Sequence, residues 1–215
     1  KKNIFFSKIQ SIYVLHIYSH KFRFKTNHFS EIQIQNLECA IACCLKLNIS
    51  PKNIFKSIKK IKSPPGRCEV IKYKKNNSKI IIDYAHTPDA LKSILIMNTI
   101  KNKKPSLVFG CGGNRDRSKR KLMGKIAFSL ANQVFITDDN PRNENAKAIR
   151  NQIIKYCPKA KEIPDRRKAI YQAIKSIRKN NILIIAGKGH EKYQIMNDKK
   201  LKFDDAKIVK NFLKI

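Results

Sequence analysis

The chain has 215 residues, carries 47 Lys and Arg against 15 Asp and Glu for a formal net charge of +32, and is 42% apolar. That length suits one large domain, or one domain with part of another, and a real core. No apolar run approaches the ~18 residues of a membrane-spanning helix, and seven Gly with eight Pro exclude collagen-like and linker-like classes.

The charge has a simple origin. Lys, Ile and Asn number 37, 33 and 19, and all three share AT-rich codons. Residues 1–66 carry a net +10 and residues 67–215 a net +22, the same density in both. A nucleic-acid face would concentrate its charge, so no specific nucleic-acid partner is expected. Non-specific binding to polyanions at low salt still follows from the charge. Lys1 to Phe6 show neither the long apolar stretch nor the small-residue cleavage site of a signal peptide. Six cysteines form no C-x2-C pair and have no His at metal-ligand spacing, which predicts free, buried thiols in a reducing cytoplasm.

In chain order, residues 4–29 are apolar and aromatic with partial alternation, which predicts short strands. Glu31 to Leu47 predicts a helix with Leu37, Ala40, Ile41, Cys44 and Leu45 on one stripe. Ser50-Pro51 predicts the cap and first turn of a second helix, with Ile54, Phe55, Ile58 and Ile61 inward. Ser63-Pro64-Pro65-Gly66 breaks the chain, so a boundary is placed between domains 1–66 and 67–215.

The second part has a different rhythm. Apolar runs at 79–83, 106–110, 133–138 and 182–187 predict buried strands. Between them lie helical patterns: Leu91, Ile94 and Leu95; Leu122, Ile126 and Leu130; Ile149 and Ile153; Ile170, Ala173, Ile174 and Ile177. This alternation predicts an α/β fold with a mostly parallel sheet covered on both faces. Ligands of such sheets bind beyond the carboxyl ends of the strands. Four polar clusters follow the four runs: Asp83 to His86, Gly110 to Arg117, Asp138 to Arg142, and Gly187 to Glu191. Together they predict one site.

Taken one at a time the clusters are ambiguous. Gly110-x-Gly112 lacks the third Gly of a dinucleotide fingerprint, and no G-x-x-x-x-G-K-[ST] phosphate loop occurs. Arg115, Arg117, Lys119 and Arg120 suit carboxylates or phosphates. Lys119 and Lys121 read as a solvated helix start, whereas Arg115 sits on the glycine turn. Asp139-Asn140-Pro141-Arg142 offers an acceptor, an amide and a guanidinium on a rigid turn, or simply caps a helix. His86 and His190 read as hydrogen-bonded rings, metal ligands or bases. Glu191 suits a cationic ligand or is a plain surface charge.

Taken in order, Pro65-Gly66-Arg67-Cys68-Glu69, Asp83-Tyr84-Ala85-His86-Thr87-Pro88-Asp89, Gly110-Cys111-Gly112-Gly113-Asn114-Arg115, Asp138-Asp139-Asn140-Pro141-Arg142 and Gly187-Lys188-Gly189-His190-Glu191 resemble the Mur ligase family. The resemblance covers about residues 30–215. It implies a Rossmann-like C-terminal domain at 67–215, preceded at 1–66 by the end of a central ATPase domain. It implies an ATP-dependent amide ligase of peptidoglycan precursor synthesis that adds meso-diaminopimelate to a UDP-N-acetylmuramoyl-dipeptide through an acyl phosphate. The implied cofactors are ATP and Mg2+. The phosphate loop, a carbamylated lysine and the metal ligands would lie upstream, so no complete catalytic set and no metal ligand is expected in this chain, and the chain alone is expected to be inactive.

By the same resemblance, Asn36, Arg67, Asp83 and His86 belong to the ATP site. Arg115, Asp139, Asn140, Pro141, Arg142, Gly187 and Glu191 belong to the diaminopimelate pocket. There Arg115 and Arg142 suit the distal carboxylate, and Glu191 suits the distal ammonium. Asn114 stands where the family usually has Asp, which should weaken a supporting hydrogen bond. A cytoplasmic monomer without a membrane partner is expected. The alternatives are a non-catalytic amino-acid-binding fragment, a lysine-adding ligase, and a basic nucleic-acid-binding protein.

Overall fold

The computed structural model describes residues 4–9, 12–25, 31–61, 63–197 and 199–215. The chain divides into two compact units, Lys1–Ser63 and Pro64–Ile215.

In the first unit, β1 (Ile4–Ile9), β2 (Ile12–Ile17) and β3 (His20–Lys25) form an antiparallel sheet in the order β1-β2-β3. The last positions of the predicted strand region, 26–29, lie outside the described residues. Helix α1 spans Glu31–Lys46 and α2 spans Pro51–Ile58. The Ser50 side chain accepts from the Asn53 N–H, so it caps α2 as the sequence predicts. Leu15, Ile17, Ile41, Ile54 and Ile58 form the core of this unit. Two positions differ from expectation. Ile61 lies past the end of α2 and is exposed, and Ala40 faces solvent.

The second unit is built on a six-stranded sheet. Its strands are β4 (Glu69–Tyr73), β5 (Ser78–Asp83), β6 (Ser106–Phe109), β7 (Val134–Ile136), β8 (Lys161–Glu162) and β9 (Ile182–Ala186), in the order β4-β5-β9-β6-β7-β8. All neighbours are parallel except β4, which pairs antiparallel with β5 at the edge. The apolar runs are continuous because both faces are covered. Ile81, Leu107, Phe109 and Ile184 face α3 (Pro88–Met97), α4 (Ser118–Leu130) and α5 (Ala146–Ile154). Ile80, Ile82, Val108, Leu183 and Ile185 face α6 (Arg166–Ser176) and α7 (Asp205–Leu213). A small hairpin, β10 (Tyr193–Met196) with β11 (Lys199–Lys202), follows β9.

Helix α4 turns inward only part of its predicted stripe: Ile126 and Leu130 pack against the core, and Leu122 does not. Leu122 is 47% exposed, while Arg120, Met123, Gly124 and Ala127 are buried. Gly124 sits against the Ile153 carbonyl of α5, where a Cβ would lie only 2.6 Å from the oxygen. Close helix packing there requires the small residue. The cysteines also divide: Cys111 and Cys157 are buried as predicted, but Cys39 and Cys43 are exposed on α1. Burial pushes the Cys111 thiol up to about 12 and the Cys157 thiol up to about 11.

Candidate functional site

The carboxyl ends of β5, β6, β7 and β9 all open on one edge of the sheet, and the four polar clusters lie there. They surround a cleft of about 540 Å³. Of the predicted pocket residues, Arg115, Asp139, Asn140, Arg142, Gly187 and Glu191 line it, as does His86. Pro141 lies behind the lining, on the wall of a neighbouring hollow that Arg142 also borders. Arg67 and Asp83 stand outside the cleft lining, and Asn36 is an exposed residue of α1 in the first unit.

The loop after β7 is held from two sides. Arg142 has a left-handed backbone (φ 50°), and its N–H donates to the Ile195 carbonyl while its own carbonyl accepts from the Asn197 N–H. This ties the loop to β10. Its Nη1 donates to the carbonyls of Gly113 (2.9 Å) and Asn140 (3.4 Å), which brings the loop after β6 against it. Gly113 allows that approach: a Cβ there would sit 1.9 Å from the Pro141 oxygen.

Arg120, one of the arginines singled out as a ligand contact, has an internal partner instead. It is buried, and its Nη1 and Nη2 each donate to Glu144 at 3.0 Å while Nη2 also reaches the Gly112 carbonyl. Those hydrogen bonds hold the Glu144 carboxyl below its ordinary range. Asn114 accepts through Oδ1 from the Asn143 N–H at 3.2 Å, so it still supplies the acceptor that an Asp would, without the charge. Lys119 is not simply solvated, because its Nζ donates to the His86 carbonyl.

Asp138 and Asp139 differ sharply. Asp138 pairs with Arg150, yet burial raises its carboxyl above the usual range. Asp139 lines the cleft, is 8% exposed, and its Oδ2 has no hydrogen-bond partner among the described residues. That oxygen lies 2.8 Å from where a Cβ on Gly187 would stand. Asn140 and Glu191 meet over Lys188, which is completely buried. Sequence reasoning passed over Lys188, because a lysine in a lysine-rich chain carries no signal of burial.

Next to the cleft, the Asp83 carboxylate accepts from the N–H groups of Cys68 and Ala85, both at 2.8 Å. It fixes the start of the unit against the end of β5. The Arg67 guanidinium lies 4.3 Å over the Tyr84 ring, and Tyr84 is in turn flanked by His86 and His190. The result is a cationic and aromatic surface beside the cleft. The His86 ring meets the Tyr84 carbonyl through Nδ1 at 2.9 Å.

Residues 66–189 match the family model for the Mur ligase, glutamate ligase domain. The UDP-N-acetylmuramoyl-L-alanyl-D-glutamate–2,6-diaminopimelate ligase of Rickettsia bellii is 46% identical over 190 residues, covering 86% of this chain and 39% of that protein. The enzyme of the same name from Prochlorococcus marinus subsp. pastoris is 44% identical over 218 residues, covering 97% of this chain and 42% of that protein. The chain thus spans about two fifths of the length of these curated relatives. A solved structure of a ligase of that name aligns with a TM-score of 0.67 at 30% identity, over 99% of this chain and 45% of its own. A folylpolyglutamate synthase from Thermotoga maritima shares the fold at a TM-score of 0.62 and 20% identity, over 86% of this chain and 44% of its own.

Proposed function

Because the chain belongs to the Mur ligase family, we propose that it positions the amino acid in an ATP-dependent ligase joining meso-diaminopimelate to UDP-N-acetylmuramoyl-L-alanyl-D-glutamate in peptidoglycan precursor synthesis. The names of the relatives support the substrates. The observation that carries the reading is the charge pattern of the cleft. Two guanidinium groups, Arg115 and Arg142, and two carboxylates, Asp139 and Glu191, line one space together with Lys119 and Asp116. The distal end of diaminopimelate carries one carboxylate and one ammonium. The arginines suit the first, since a guanidinium pairs with a carboxylate through two parallel hydrogen bonds. Asp139 and Glu191 suit the second.

When bound, ATP supplies the phosphoryl group that activates the D-glutamate carboxylate. Arg67, stacked on Tyr84, offers a cation beside an aromatic face, which fits a nucleotide. Asp83 keeps that corner in shape through the Cys68 and Ala85 N–H groups, and His86 adds a polar edge. Asn36 is assigned to the adenine from the family pattern. Mg2+ is the second cofactor of the proposed ligase, and among the described residues no three His, Cys, Asp or Glu side chains gather to hold it. The contribution of the chain is to bind the amino acid, fix its amine and exclude water from the activated carboxyl. No described helix is long and apolar enough to cross a membrane, and the soluble substrates suit a cytoplasmic enzyme.

Calorimetric titration of the 215-residue chain with meso-diaminopimelate and with L-lysine tests this. Lysine lacks the distal carboxylate, so meso-diaminopimelate should bind about ten- to a hundredfold more tightly. Arg142→Ala should abolish that preference. Equal affinity for the two amino acids in the unaltered chain would sink the reading.

A further inference from the structure

We propose that Lys188 is a positioning residue, which clamps the Glu191 carboxylate and the Asn140 amide so that Glu191 is presented to the ligand's distal ammonium. The inference rests on the reading of the cleft as an amino-acid site. Three side chains close a ring. The Lys188 ammonium donates to Asn140 Oδ1 at 2.8 Å and to Glu191 Oε2 at 3.1 Å, and Asn140 Nδ2 donates to the same Oε2 at 3.0 Å. The Ile195 N–H adds a second donor on Asn140 Oδ1 at 2.9 Å.

The ring permits one arrangement. An ammonium has donors and no acceptor, so it must face the oxygen of the amide. Asn140 Nδ2 is thereby turned to Glu191. Lys188 is 0% exposed and is not part of the cleft lining, whereas Asn140 and Glu191 are. Lys188 therefore acts on a ligand only through its neighbours. The backbone sets the spacing: the Glu191 N–H donates to the Lys188 carbonyl at 2.9 Å, so a tight turn places the two side chains together.

Removing the ammonium has two opposed effects. A bare Glu191 would attract a second cation more strongly. Against that, a carboxylate whose side chain is only 17% exposed and has lost its cation is costly to keep in place. Glu191 stands on a loop and can turn to water. Loss of position outweighs the gain in bare charge, because the unpaired group relaxes before any ligand arrives.

The test compares two ligands and one structure. Lys188→Met in the 215-residue chain should weaken meso-diaminopimelate about tenfold or more. It should change the affinity for 2-aminopimelate, which keeps the distal carboxylate and lacks the distal ammonium, by less than about twofold. Lys188→Gln retains a donor for Glu191 and should fall between, and it serves if the Met variant fails to fold. Equal losses for both ligands, or no loss for either, overturn the proposal. If the unaltered chain binds neither ligand, the functional reading fails, and crystal structures of the variant and the parent decide the inference separately. Glu191 turned out of the cleft in the variant supports it, and Glu191 and Asn140 unmoved overturn it.

Discussion

Gly66 and Gly189 pack backbone against backbone, so that a Cβ on Gly66 would lie 2.1 Å from the Gly189 carbonyl carbon. Both have left-handed backbones, with φ of 65° and 52°. The contact binds the first turn of the second unit to the loop that carries Lys188 and Glu191.

Gly66→Ala should therefore be severe for so small a change. A side chain in the left-handed region costs about 1–2 kcal/mol, and overpacking against rigid backbone adds roughly 1–3 kcal/mol. Urea unfolding should show a loss of about 2–5 kcal/mol on those grounds. An unchanged midpoint would mean that the two loops separate freely.

Arg166 and Asp205 form a fully buried ion pair between α6 and α7, with side chains 0% exposed and contacts at 2.9 and 2.8 Å. Arg166 Nη2 also donates to the Ala186 carbonyl at the end of β9. Burial alone would lower the Arg166 pKa, but the charge and hydrogen bonds of Asp205 outweigh it and hold the guanidinium charged. Arg166→Met leaves an isolated carboxylate inside and should cost about 3–5 kcal/mol. Arg166→Met combined with Asp205→Leu should be more stable than either single variant, because no buried charge remains. Strictly additive losses in equilibrium unfolding would reject the coupling.

Glu144 gives a pH dependence of definite sign. Its hydrogen bonds from Arg120 keep its folded pKa below the unfolded one. Its contribution to stability is then complete above the ordinary glutamate pKa and is lost as pH falls through the depressed folded value. Glu144→Gln should be less stable than the parent at pH 7, and the gap should close on acidification. Unfolding midpoints measured from neutral to acid pH would show it. A gap that stays constant would assign the effect to shape and not to charge.

The parallel sheet and the edge that carries the site were legible because buried parallel strands are apolar on both faces. Four such runs, each followed at once by polar and glycine residues, mark strand ends where ligands bind. Edge strand β4 escaped notice, since Glu69-Val70-Ile71-Lys72-Tyr73 buries only Ile71 and reads like surface. On α4 the sequence pattern places Leu122 inward with Ile126 and Leu130, but Leu122 is exposed, and the buried positions beside that pair are Met123, Gly124 and Ala127, two of them too small to stand out in the pattern.

The sequence by itself determined the fold class and the order of the site motifs, both of which are local patterns of polarity. Only the tertiary structure decided which charges face the cleft and which are paired inside the protein. Arg115 and Arg142 line the cleft while Arg120 closes on Glu144, and Lys188 and Arg166 are fully buried in a chain with 37 lysines and 10 arginines. A charge is tolerated inside only where partners meet it, and Glu144, Asp205 and Asn140 reach Arg120, Arg166 and Lys188 from far along the sequence only once the loops have come together.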